Sequence, residues 1–81
     1  RSTARAAALR DLGQPTRAFA SARDALALQP GDADTLALLG WIYLDTAQPA
    51  DAAASFASAL DRRPDDVAAL QGLATAYEAL G

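Results

Sequence analysis

Asp32-Ala33-Asp34 and Asp65-Asp66 are the most closely spaced carboxylates in the chain. Two acidic side chains at such spacing could hold a divalent cation for a metal-assisted transfer reaction. The same residues also fit the start of a helix, where a carboxylate accepts the unpaired backbone N–H groups and a further acid is favoured by the helix dipole. The rest of the inventory decides between these readings. There is no His, Cys or Lys, which removes the usual general bases, thiolate nucleophiles and Schiff-base amines. A Ser-His-Asp constellation cannot be assembled, zinc lacks its nitrogen and sulfur ligands, and no glycine-rich phosphate cradle is present. The expectation is a chain with no catalytic residues, no metal and no cofactor, in which the paired aspartates are helix caps.

A different kind of chemistry is concentrated near the middle. Leu38, Trp41 and Leu44 recur at i, i+3 and i+6, an apolar strip containing the single tryptophan. Large aromatics set in partly desolvated pockets are common anchors of protein interfaces.

The elements that position this strip follow from an internal repeat. Thirty-four residues separate Pro15 from Pro49, Pro30 from Pro64, Asp32 from Asp66, Leu36 from Leu70 and Tyr43 from Tyr77. A fixed period of this length marks stacked copies of one supersecondary unit. The four prolines divide the chain into five candidate helices, approximately 2–12, 16–29, 33–46, 50–62 and 67–80. Asp32, Asp66 and Thr16 stand at N-cap positions, and Gly13 and Gly81 at helix ends. Linkers this short force consecutive helices to lie antiparallel. Alanine supplies 23 of the 81 residues, which favours helix and predicts a core of many small contacts.

The faces follow from spacing. Leu36, Leu39, Gly40 and Tyr43 form one helical stripe, and Leu70, Leu73, Ala74 and Tyr77 repeat it. Gly40 and Ala74 are expected where helix backbones approach closely. Ala52, Phe56, Ala59 and Leu60 form the core stripe of the fourth helix, with Phe56 expected to meet Tyr43. In the second helix the aromatic sits one turn earlier, with Phe19 opposite Ala53 and Ala22 opposite Phe56 in the alignment of repeats.

Leu36, Leu39, Gly40, Tyr43, Ala52, Phe56, Ala59 and Pro64 fall in order on the signature of the tetratricopeptide repeat, which the chain resembles over essentially its whole length. The resemblance implies an all-α fold of tandem antiparallel helix–turn–helix repeats stacked as a right-handed α-solenoid. Residues 33–66 read as a complete unit. Residues 1–32 read as a degenerate first unit whose opening helix is frayed or caps the stack. Residues 67–81 read as the first helix of a third unit or as a capping helix.

The family uses the first helix of each unit to line a concave surface. Carried onto this sequence, the partner-binding positions are Asp34, Leu38, Trp41, Leu44 and Asp45, with Arg10 from the first helix and Gln71, Thr75 and Glu78 from the fifth. Ala4, Ala7, Thr3, Asp11, Ala37, Ala68, Gly72 and Ala79 occupy further groove positions. Trp41 is expected between Ala7 and Thr75, with Arg10 and Glu78 at the edges. Members that clamp a partner's terminal carboxylate do so with Lys, Asn and Arg. The matching positions here are Thr3, Ala7, Leu38, Ala68 and Gly72, so that subclass is excluded.

The resemblance therefore implies a non-catalytic scaffold that binds a peptide or helix of a protein partner. The alternative is a helical-repeat accessory or oligomerisation region of a larger enzyme, such as a glycosyltransferase or sulfotransferase. The net charge of −3 and seven arginines without a basic stripe argue against nucleic acid. No run of residues matches a membrane span. The Arg-only, Ala- and Asp-rich usage resembles proteins from high-GC bacterial genomes, which leaves bacterial cytoplasm and periplasm both open. A chain opening Arg-Ser-Thr reads as a fragment of a larger protein. Leu73, Tyr77 and Leu80 of the fifth helix are expected to form an exposed face capable of self-association.

Overall fold

The computed structural model describes residues 2–81, apart from the side chains of Ser2, Thr3 and Asp11. The groove positions expected at Thr3 and Asp11 therefore lie outside the described residues. The described chain forms five α-helices and no strand: α1 (Ser2–Asp11), α2 (Pro15–Leu28), α3 (Ala33–Asp45), α4 (Pro49–Arg62) and α5 (Val67–Leu80). Each helix packs on the next, and α3 also touches both α1 and α5, whereas α2 and α4 do not touch. The odd-numbered helices thus form a continuous inner layer and the even-numbered ones a separated outer layer. An array of this kind is an all-α helical-repeat solenoid.

Two linker chemistries alternate. After α1, Gln14 N–H donates to the Leu9 carbonyl at 2.8 Å, and after α3 Gln48 N–H donates to the Tyr43 carbonyl at 2.8 Å. These are the long reverse bonds of a helix C-terminus closed by a left-handed residue. Gly13 fills that position with φ +74°, and Ala47 fills its repeat equivalent with φ +57°. Pro15 and Pro49 then begin α2 and α4, where a missing N–H costs nothing. The N-cap of α2 is Gln14, without a side-chain cap bond. Thr16 therefore lies inside the helix rather than capping it, because Pro15 already supplies a preset first turn.

The other two linkers are β-turns. Asp32 N–H donates to the Gln29 carbonyl and Asp66 N–H to the Arg63 carbonyl, each at 3.1 Å, across Pro30 and Pro64. Both aspartates then cap. Asp32 accepts from Asp34 N–H at 3.3 Å and from the buried Thr35 hydroxyl at 2.7 Å, and Asp66 accepts from Ala69 N–H at 3.3 Å.

The core has two lobes on either side of α3. One joins Ala6 and Leu9 of α1, Ala18 and Ala22 of α2, and Leu39 and Ile42. The other joins Ala37 with Ala52, Phe56 and Ala59 of α4 and Ala69 and Ala76 of α5. Phe56 is fully buried and is the largest side chain to be so. A methyl group added at Gly40 would lie 2.7 Å from the Phe56 ring, and one added at Gly72 only 2.2 Å from it. The ring of α4 is therefore seated against glycines of both neighbouring helices.

This seating corrects the sequence expectation for Ala74 and sets the aromatic pairs. Ala74 is exposed, and Gly72, two residues earlier and off the stripe, is the residue of close approach. Phe56 pairs edge-on with Trp41 at 5.2 Å, whereas Tyr43 pairs with Phe19 at 5.4 Å. Tyr77 and Leu80 are 59% and 52% exposed, in keeping with the open face expected on α5. Leu73, expected on that open face, is instead half-buried against the second lobe. Leu70 is 47% exposed, although Leu36 and Tyr43, the counterparts of Leu70 and Tyr77, are half-buried. The physical reason is coverage. α4 lies over the stripe of α3, and no described helix lies over that of α5.

Gly72→Ala is expected to destabilise the fold by about 1–3 kcal/mol through overpacking against Phe56, and Phe56→Leu in the same chain to recover part of that loss. Chemical denaturation of the single and double variants checks the coupling, and additive effects would contradict it. Ala47→Gly is expected to stabilise the fold by about 0.5–1 kcal/mol, since it removes left-handed strain at a cost in unfolded-state entropy. A lowered melting temperature would show that Ala47 is not strained.

Candidate functional site

The inner layer places the expected groove residues on α1, α3 and α5. α3 is the central helix, so nearly every side of it is used. Leu39 and Ile42 are buried in the first lobe among residues of α1 and α2, and Gly40 is buried against Phe56 of α4. Leu38, Trp41 and Leu44 are half-buried, Leu38 against the first lobe and the other two against the second. The strip is therefore neither a free surface nor full core. The Trp41 ring packs nearly perpendicular to that of Phe56, so it does not stand free in the groove. Phe56 is the support that spacing alone did not reveal. Its aromatic type was visible, but the tilt of α4 across α3 was not.

Arg10, Trp41 and Asp45 converge. Arg10 Nε donates to Asp45 Oδ2 at 2.6 Å, and a second guanidinium nitrogen lies 3.4 Å from Oδ1. The guanidinium carbon stands 5.6 Å from the centre of the Trp41 ring, within the range of cation–π attraction. Trp41 and Asp45 are four residues apart on one helix face, which is why a single cation can reach both. The side chains of Arg10 and Asp45 are 29% and 38% exposed, so this pair lies open to solvent at the rim.

Asp34 is not brought to this point. It lies about 16 Å along α3 from Asp45 and pairs with Arg63 of the α4–α5 turn at 2.8 Å. Gln71, Thr75 and Glu78 are exposed on α5, with the Thr75 hydroxyl donating to the Gln71 carbonyl at 2.9 Å. Thr75 occupies in α5 the register position that Trp41 occupies in α3, and Glu78 occupies that of Leu44. Among the other groove positions, Ala37 and Gly72 are buried, Ala7 is half-buried, and Ala4, Ala68 and Ala79 are exposed. Gly72 in particular is taken up by Phe56.

A separate hollow of about 230 Å³ lies at the linker edge between α2 and α3, floored by Phe19, Ile42 and Tyr43 and edged by Pro15, Thr16, Thr46 and Gln48. The sequence signal for it was the displaced aromatic, Phe19 opposite Ala53. Among the described residues no group of three or more acidic side chains converges on one point, and no helix is long and apolar enough to cross a membrane.

Residues 33–66 match the family model of the tetratricopeptide repeat. No curated protein and no solved structure matches the chain.

Proposed function

We propose that this chain, whose residues 33–66 are a tetratricopeptide repeat, is a non-catalytic scaffold that takes a peptide or helix of a protein partner on its α1–α3–α5 face. Tetratricopeptide repeats generally mediate protein–protein interaction, and the partner class follows from that. The observation that carries the choice of face is Trp41, half-buried on α3 with Arg10 of α1 over its ring, with Leu38 and Leu44 extending its strip. The flat, register-matched surface of Gln71, Thr75 and Glu78 offers polar contacts beside it. Such a face suits apolar anchors set among polar contacts that fix orientation.

Peptides selected from a displayed library on the immobilised protein test this reading. Trp41→Ala is expected to weaken their binding by at least about 2 kcal/mol. The same change should cost about 1 kcal/mol of stability through the lost edge contact with Phe56, so binding is read well below the melting temperature. Unchanged binding by a folded Trp41→Ala variant would show that the partner docks elsewhere.

A second reading, an oligomerisation region within a larger protein, is favoured by the outer face of α5. Val67, Leu70, Tyr77 and Leu80 are all about half or more exposed. Val67 and Leu80 lie equally far from the helix midpoint, as do Leu70 and Tyr77. An antiparallel two-fold contact would therefore set large residues against large ones, with the small Ala74 beside the axis. Sedimentation equilibrium of the wild type is expected to show concentration-dependent dimers, abolished by Leu70→Glu with Tyr77→Glu. A wild type that stays monomeric at millimolar concentration would rule this contact out.

A further inference from the structure

We propose that Trp41 and Asp45 form a guanidinium-binding site on α3, that Arg10 of α1 occupies it in cis, and that an arginine of the partner polypeptide enters by displacing Arg10. The geometry is that of a bound ligand. A planar cation lies over the Trp41 ring at 5.6 Å and donates to a carboxylate one turn further along the same helix at 2.6 Å. An aromatic face with an adjacent carboxylate matches arginine better than lysine, because guanidinium is planar and weakly hydrated.

Three features make Arg10 replaceable rather than a fixed brace. Its ion pair is unsymmetrical, one bond short and the other 3.4 Å. Both partners are about a third exposed, and open pairs of this kind contribute little to stability. The apolar part of the α1–α3 contact, through Ala6, Leu9, Leu39 and Ile42, does not involve the Arg10 head group. Release of the guanidinium therefore leaves α1 anchored.

Charge favours an incoming cation. With Arg10 swung out, Asp45 faces the groove unpaired, and the exposed Glu78 of α5 has no ion-pair partner among the described residues. Neither repeat equivalent of Arg10 supplies a second cation, since those positions hold Leu44 and Glu78. The site is thus a local anionic and aromatic pocket shielded by one tethered arginine.

This deepens the groove reading and rests on it for the partner being a polypeptide. The probe is the peptide acetyl-Ala-Ala-Arg-Ala-Ala-amide, with the citrulline peptide as its neutral isostere. Arg10→Met retains the stem and removes the cation. It is expected to bind the arginine peptide about tenfold more tightly than wild type, as removal of a tethered competitor restores the competent state. Trp41, the only tryptophan, reports binding by fluorescence. Adding Asp45→Asn should abolish the gain, and the citrulline peptide should not bind. On the wild-type protein, where folding is not in question, the arginine peptide should shift the Arg10 Nε–H and Trp41 indole N–H resonances together. Equal affinity of Arg10→Met and wild type, equal binding of the citrulline peptide, or an unmoved Arg10 resonance at saturation would each overturn the proposal. Library-selected peptides that bind through Trp41 yet leave Arg10 in place would overturn it while leaving the groove intact.

Discussion

The ring of Phe56 is the contact on which the arrangement of three helices depends. It is carried by α4, closed on one side by Gly40 of α3 and on the other by Gly72 of α5, and met nearly at right angles by Trp41. In a chain so rich in alanine most buried side chains contribute one methyl group, worth less than about 1 kcal/mol each. A fully buried phenylalanine contributes about 1.5–3 kcal/mol, and it also fixes distance. Two glycines accept it only if both inner helices approach α4 closely, and that approach brings α3 and α5 together as one surface. The same ring holds the indole of Trp41 at the angle from which its free face meets Arg10. Packing and the candidate site are therefore one construction.

The linkers make that construction repeatable. Turns after α1 and α3 close with a left-handed residue and restart on proline, whereas turns after α2 and α4 use a proline β-turn and an aspartate cap. Each type satisfies the backbone groups left unpaired at a helix end, and each recurs at the repeat period. Asp32 and Asp66 both carry this duty, accepting from Asp34 N–H and the Thr35 hydroxyl and from Ala69 N–H.

Legibility in the sequence follows the range of the interaction. The five helices and the aspartate caps were readable because they depend on residues within a few positions of one another. Thr16 failed as a cap because the neighbouring Pro15 starts the helix first, a competition between two valid local signals. Long-range placement was less readable. Leu73 was expected on the open face of α5 with Tyr77 and Leu80, yet it is half-buried against the second lobe. Periodicity states which residues share a face and not how far a neighbouring helix covers it. Gly72 was assigned to the groove by register and is instead filled by an aromatic from α4. The coming together of Arg10, Trp41 and Asp45 could be anticipated only as far as their helices being neighbours, since an ion pair spanning 35 positions depends on the relative rotation of α1 and α3.

α1 shows how such rotation is set. It joins the first lobe through Ala6 and Leu9 alone among its buried residues, a small apolar contact compared with the one α4 makes through Phe56. A helix held by so few methyl groups gains proportionately more from each polar contact, even one worth well under 1 kcal/mol. The register position of Arg10 holds Leu44 in α3 and Glu78 in α5, so the repeat itself does not call for a cation there. What distinguishes the first helix is that α3 presents to it an aromatic face and a carboxylate at the spacing of one turn. Arg10 answers both with a single side chain. The substitution that departs most from the repeat pattern on the inner surface is thus the one that joins α1 to the candidate site, and partner access and α1 position become linked through the same guanidinium.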